Sequence, residues 1–333
     1  MKRTKNIVCL GIEGTAHTFG IGIVDSKGNI LADERDMYKP PLGRGIIPND
    51  AAEHHKRLKE KILENALTKA NLSLDDIDIF SYSAGPGLAP CLLVTANFAI
   101  ELSKKIKKPL IPVNHPCAHL EIGKLTTDSQ DPVFLYLSGG NTQIIAYVDG
   151  IYRIFGETED IPVGNCFDVV AREMNLPMPG GPEIEKLAKG GKYVKLPLVI
   201  KGMDVSFSGI LTAAKKLINR GVSKEDIAFS LQETCFSMLV EVTERAMAHI
   251  DKNEVLLIGG VAANKRLQEM LKIMCNDRGG RFFVVPEEYS GDQGIMIAWN
   301  GILQNNSGWK DPNILNRKIN SNWRIDDVEV TWM

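Results

Sequence analysis

The chain states one pattern twice. Near its start, "NIVCLGIEG" is an apolar run ending in glycine, "FGIGIVD" a second run, "SKGN" a turn and "ILADERD" a third run. Near its middle, "PVFLYLSGGNT" again ends in glycines, "QIIAYVD" follows, Gly150 marks a turn and "IYRIFGETED" closes the set. Each copy reads strand, Gly/Thr turn, strand, Asp-containing turn, strand with an acidic end. Such an internal repeat predicts a duplicated α/β domain. Helical patterns follow the first copy at residues 49–71 and the second at 166–175 and 182–189, with further helices at 209–220 and 224–249. A chain of 333 residues exceeds one small core and suits two lobes. The expected lobes are residues 1–130 plus roughly 300–333, and residues 131–299. The closing "NRKINSNWRIDDVEVTWM" is expected to return to the first lobe, with no role legible in it.

A third element, "EVLLIGGVAANKRLQEMLKIM", reads as buried strand, Gly259–Gly260 turn and amphipathic helix. Alone, any α/β crossover has this form. After two glycine-rich hairpins it resembles the superfold of actin, hexokinase and the heat-shock ATPases, two lobes with a nucleotide cleft. There, hairpin N–H groups face phosphates and the later Gly pair lets an adenosine lie flat on the backbone. Glu13, in "GIEGTAHTFG", falls on the first hairpin. Many kinases and ATPases of that superfold carry Asp there for a divalent metal. Glu weakens an ordinary kinase reading and leaves Mg-assisted nucleotide binding at this hairpin open.

Composition narrows the class. Hydrophobic residues at 44% and charged residues at 24% are the balance of a soluble globular protein. No apolar run approaches the roughly 20 residues of a membrane helix. The start, broken early by Gly11 and Glu13, reads as a first strand and not a signal peptide, so no membrane role and a cytoplasmic location are expected. Six scattered cysteines without a C-x-x-C pair suggest reduced core thiols. A net charge of −2 excludes a generally basic nucleic-acid binder, so such binding would need local patches or a partner's charge. "HHKRLKEK", "KKIKK" and "AAKKLINR" are basic clusters, and such clusters on helices are most often solvated faces. His54 and His55 are adjacent, cannot share one helical face, and receive no metal role.

The chemistry concentrates in "VNHPCAHLEIGK". His115 and His119 sit at i and i+4, so on a helix they share a face, and Pro116 fits a first helical turn. Two imidazoles on one face can ligate zinc or iron, or serve a structural purpose. A metalloprotease would need Glu directly after the first His as general base, where this chain has Pro116, and Glu121 lies beyond the second His. The pair is incomplete without ligands from elsewhere. Asp292, in a turn before an apolar helix, and Tyr136, in the second hairpin, are available, but spacing selects neither; a lone loop Asp is usually a cap and a strand Tyr usually core.

With these motifs, "YLSGGNTQIIAY", "SAGPGLAPCLLVTANFA", "LLIGGVAANKRL" and "SGDQGIMIAWNG" resemble, in order and over nearly the whole chain, the universal tRNA threonylcarbamoyladenosine transferase family, whose members were long described as O-sialoglycoprotein endopeptidases. "RGIIPNDAAEHH" and "GPGLAPCLLV" are similar to the archaeal and eukaryotic branch, the catalytic subunit of the KEOPS assembly beside a small atypical kinase and smaller subunits. The resemblance implies one iron or zinc ion per subunit, held by His115, His119, Asp292 and, in the archaeal branch, Tyr136. It implies that Tyr136, Leu137, Ser138, Gly139 and Gly140 form the substrate-phosphate hairpin, and that Asp168, Gly181, Glu185 and Asn264 bind the rest of a threonylcarbamoyl adenylate. Singly, each has an ordinary reading: Asp168 as a residue near a helix start, Gly181 as a turn glycine before Pro182, Glu185 as a complement to the helix dipole, Asn264 as a helix cap.

The implied reaction moves a threonylcarbamoyl group from threonylcarbamoyl-AMP to the exocyclic amine of the adenosine beside the anticodon, in tRNAs reading codons that begin with A. The alternative is an ATPase or small-molecule kinase of the same superfold, which has no need of paired histidines. A non-catalytic nucleotide-sensing subunit is the third reading; it has no reason to hold a metal site.

Overall fold

In a computed structural model the residues described are 6–40, 45–308 and 318–333. The chain forms two compact units: Met1–Leu125, Gly150–Tyr152 and Asp292–Met333 make unit 1, and Thr126–Asp149 with Arg153–Gly291 make unit 2.

Unit 1 opens with strands β1 (Val8–Glu13), β2 (Thr18–Asp25) and β3 (Ile30–Met37), followed by α1 (Pro48–Ala70), β4 (Ile79–Gly85), α2 (Ala89–Ile106), β5 (Leu110–Asn114) and α3 (His115–Leu125). The sheet order is β3-β2-β1-β4-β5. The first three strands are antiparallel, while β4 and β5 continue parallel to β1. Every residue of β2 and β4 is buried, the mark of strands covered on both faces. The strand triplets do not announce β4, α2 or β5, which lie outside the repeated pattern.

Unit 2 repeats the plan. Strands β6 (Val133–Leu137), β7 (Thr142–Val148) and β8 (Ile151–Glu157, whose first two residues belong to unit 1) precede α4 (Val163–Glu173), α5 (Gly180–Ala188), the short pair β9 (Ile200–Lys201) and β10 (Asp204–Val205), α6 (Ser208–Asn219), α7 (Lys224–His249), β11 (Glu254–Ile258), α8 (Lys265–Asp277) and β12 (Arg281–Val284). The order β12-β11-β6-β7-β8 is that of unit 1 read from the other edge, with β6–β7 antiparallel and β11 parallel to β6 and β12. The duplication expected from the two strand triplets is therefore a duplication of sheet topology. Helices α4 and α5 begin earlier than the pattern suggested, at Val163 and Gly180. The reading took Pro182 as the first helical residue, but the first four N–H groups of any helix are unbonded, so a proline fits throughout that turn.

The chain then returns to unit 1 as α9 (Gly294–Ser307). Its start lies directly on the backbones of β1 and β2. A Cβ on Gly11 would strike Ala298 N and Gly294 O, one on Gly22 would strike Ile295 N, and one on Gly294 would strike Gly22 N. Glycine is required there because backbone meets backbone. This seat fixes the residues just before the helix, Asp292 among them, and Arg35 Nη1 donates to the Asp292 carbonyl at 3.2 Å. All six cysteines are buried free thiols, and no described helix is long and apolar enough to cross a membrane.

Candidate functional site

Helix α3 starts at His115 because Asn114 caps it: Asn114 Oδ1 accepts from Cys117 N at 3.1 Å. Pro116 falls in the first turn, as expected. His115 and His119 then share a face, their Nε2 atoms 3.2 Å apart. Asp292 Oδ1 completes the group, 3.2 Å from His119 Nε2 and 3.4 Å from His115 Nε2. The candidate ligand atoms of the three residues all lie within 4.8 Å of one another. The histidine side chains are 10% and 4% exposed and the Asp292 side chain 22%, so the cluster is buried with its more open side at the carboxylate.

Glu13 stands behind this group. It ends β1 fully buried, and its Oε2 lies 3.0 Å from His115 Nδ1. Its Oε1 accepts from Thr15 N at 2.7 Å and Thr15 Oγ1 at 2.6 Å. Both carboxylate oxygens are thus engaged inside unit 1, which places the residue against the histidine and not on an open phosphate face. The electrostatics follow from two carboxylates around two imidazoles. Burial alone would lower the His115 pKa, but Glu13 and Asp292 outweigh it and lift it to about 10. Burial and the neighbouring His115 lower that of His119 against the pull of Asp292. Burial would raise Asp292, yet the two histidines bring it well below the usual carboxylate range. Two imidazole nitrogens and a carboxylate oxygen converge, with a carboxylate on the far nitrogen of one imidazole. That is a donor set for zinc or iron, so the residues fit a metal.

The remaining predicted residues lie in unit 2. Tyr136 is buried on β6, and its hydroxyl accepts from Asn141 Nδ2 at 3.4 Å. The turn after β6 is closed by Ser138 N donating to Asn141 O at 2.8 Å. Ser138 Oγ accepts from Gly140 N at 3.2 Å and Asn141 N at 2.9 Å, while Gly139 and Gly140 are exposed with open space where a Cβ would point. Two further glycines back this turn. A Cβ on Gly164 would stand 2.7 Å from Ser138 O, and one on Gly259, at φ +90°, would strike Leu137 O. The Gly259–Gly260 pair therefore divides its labour: Gly259 supports the hairpin from behind, and Gly260 has nothing near its Cβ position.

Asp168 Oδ1 accepts from Gly180 N at 2.8 Å, tying α4 to the first residue of α5, and burial raises its pKa. Gly181, beside it, faces open space. Glu185 caps a different helix from its own: its Oε1 accepts from Lys265 N, the first residue of α8, at 2.8 Å. Asn264 caps the same helix through Leu267 N at 3.1 Å and donates to Gln232 Oε1 at 3.1 Å. Glu185, Gln232, Phe229, Lys265 and Arg266 line a cleft of about 450 Å³. Gly164, Gln232 and Thr15 were missed from sequence. Each matters through a neighbour distant in the chain, and a lone Gly, Gln or Thr carries no spacing signal.

Two sheets of one order, each opening on a Gly-turn hairpin, define a protein of the actin/hexokinase-like fold. HypF of T. kodakarensis shares it with a TM-score of 0.64 at 15% identity, over 90% of this chain and 48% of that one. The Acidaminococcus fermentans (R)-2-hydroxyglutaryl-CoA dehydratase component A shares it at 0.55 and 12% identity, over 89% of this chain and 98% of that one. Residues 28–299 match the profile of the TsaD family, tRNA N6-adenosine threonylcarbamoyltransferase. The protein of that description from Archaeoglobus fulgidus is 52% identical over 98% of this chain and 100% of its own length. The chain belongs to this family. A "probable bifunctional tRNA threonylcarbamoyladenosine biosynthesis protein" of Methanocaldococcus jannaschii is 54% identical over 98% of this chain, which spans 61% of that protein's length.

Proposed function

We propose that this chain transfers the threonylcarbamoyl group of threonylcarbamoyl-AMP to the exocyclic amine of the adenosine next to the anticodon, in tRNAs reading codons that begin with A. The observation that carries this reading is the convergence of His115, His119 and Asp292 in unit 1, with Glu13 on the back of His115, in a member of this family.

The acceptor amine is a weak nucleophile because its lone pair is delocalised into the ring. The carbonyl must be made electrophilic and the leaving AMP stabilised. An iron or zinc ion held by His115, His119 and Asp292 would supply Lewis acidity at that carbonyl and a seat for the threonyl part. Glu13 accepts the Nδ1–H of His115, which would leave Nε2 as the nitrogen that faces a bound ion. In unit 2, the N–H groups of Gly139 and Gly140 are donors for the phosphate as charge builds on it. The cleft beside Glu185 and Gln232, at the capped start of α8, suits the polar edges of a nucleoside, with Phe229 offering it a face.

The net charge of −2 supports a reading in which partner subunits, the small kinase and smaller proteins of the KEOPS assembly, supply much of the attraction to tRNA phosphates, in the cytoplasm. The test is reconstitution. Purified chain, threonylcarbamoyl-AMP, unmodified tRNA and those subunits are mixed, and digested tRNA is analysed by mass spectrometry beside His115→Ala and metal-stripped protein, with metal content measured on each. Modified nucleoside that requires His115 and metal is expected. ATP consumption without product, surviving in the variant, would turn the reading to a plain ATPase.

A further inference from the structure

Helix α3 is gripped from behind by the end of the chain. Glu121 lies two residues past His119, roughly 200° around the helix, so it points away from the metal face. Its side chain is 4% exposed, and Lys124 Nζ stands 3.9 Å from it. Its Oε1 accepts from Tyr152 OH at 2.6 Å and from Trp332 Nε1 at 2.7 Å. At the other end of α3, Asn114 caps the helix with its oxygen, and its Nδ2 donates to the Trp323 carbonyl at 3.1 Å. Residues 318–333 connect these two points. They are fastened by Tyr82 OH to Lys318 O at 2.8 Å, Asn320 N to Ala84 O at 2.8 Å and Val330 N to Gly150 O at 2.8 Å, with Trp323, Ile325, Val328 and Val330 buried.

A carboxylate is a poor choice for stability alone. Withdrawing it from water costs free energy, and an apolar side chain of similar volume would serve a helix back at least as well. What Glu121 offers and leucine does not is direction: two hydrogen bonds on one oxygen fix the rotation and height of α3. A metal pair needs that precision, since ligands must be held to about 0.5 Å. We infer that residues 318–333 form a strap, and that Trp332, Tyr152 and Glu121 are positioning residues that set the His115–His119 pair for its metal. The inference rests on the metal reading above.

The test titrates cobalt(II) into the metal-stripped full chain, reading affinity by chelator competition and geometry by the visible absorption bands. Amide exchange of α3 is followed in the metal-free protein. Outer-shell changes typically weaken metal binding by roughly 10–100-fold, and the low end, about tenfold, is expected for Trp332→Phe because it acts at one further remove. Shifted cobalt bands and faster α3 exchange accompany it. Tyr152→Phe, which removes only a hydroxyl, changes all three in the same direction. Glu121→Gln keeps an acceptor oxygen for both donors and stays within about threefold of the parent. Wild-type affinity and bands in both Phe variants, whatever their melting temperature, would overturn the strap. A parent chain that takes up no cobalt, or a His115→Ala chain that binds it equally well, would instead remove the metal reading and the strap with it.

Discussion

The turn after β1 and the turn after β6 hold the same place in two sheets of the same order, and they are finished differently. In unit 1 the turn is filled. Gly14 N donates to Ser83 Oγ at 3.1 Å, Thr15 N is taken by Glu13, Thr95 Oγ1 donates to Gly14 O at 3.2 Å, and Leu88 N donates to Thr15 O at 2.8 Å. A Cβ on Gly14 would run into Thr95 Oγ1. In unit 2 the turn is bare: Gly139 and Gly140 are exposed, and the Gly140 and Asn141 N–H groups donate to the hydroxyl of Ser138. One copy has spent its backbone donors inside the unit, Gly14 N on Ser83 and Thr15 N on the carboxylate held against His115. The other keeps them near the surface, where an anion can take them. A duplicated fold thus supplies one framework twice, and the side chains at the turn decide whether it builds a buried centre or receives a ligand.

The comparison breaks most visibly at Glu13. Glu13→Ala should weaken metal binding by roughly 10–100-fold, measured by chelator competition, because His115 loses the group that orients it. Unchanged affinity would mean that the filled turn is packing and nothing more. The two turns should also separate in stability. Gly14→Ala is expected to cost about 1–3 kcal/mol in denaturant unfolding through overpacking. Gly140→Ala should stay within about 0.5 kcal/mol of the parent, as a surface change does. Equal costs would show that the second turn is as closed as the first.

A smaller contrast lies one turn further on. Asp25, the last residue of β2, is buried and accepts from Lys27 N, Asn29 N and the side-chain amides of Asn29 and Asn6. Burial opposes ionisation there, but those donors prevail and its pKa is lowered. Its counterpart Asp149, before β8, is 78% exposed with Arg153 at 3.6 Å. A lowered folded pKa means the unfolded chain binds more protons. The stability from Asp25 is present above the unfolded value of about 3.9 and is lost as pH falls through the folded one. Asp25→Asn should therefore be less stable than the parent at neutral pH and converge with it in acid, as followed by denaturant unfolding across pH. A constant gap for Asp25→Asn would remove its charge from the account.

What was legible in the sequence is what repeats at short range. The strand triplets showed because each is punctuated by glycine and Asp turns, and His115 and His119 showed because four residues make one helical turn. Partners far apart in the chain were not legible. Glu13 is 102 residues from His115, and only the sheet order brings the end of β1 beside the start of α3. Glu185 reads as a complement to its own helix until α8 is seen to begin at its carboxylate. Asp292 reads as a cap until three glycines set α9 on the strands. Pattern reports an element; it is silent on what another element will present to it.

The glycine seat beneath α9 has an evolutionary side. Where side chains interlock, a lost methyl on one partner can be offset by a gained one on the other, and geometry drifts along the way. Gly11, Gly22 and Gly294 offer nothing to exchange, since the surfaces in contact are main chain. The height of the carboxylate that α9 presents is therefore set by main chain resting on main chain, and a side chain at any of these three positions would lift it.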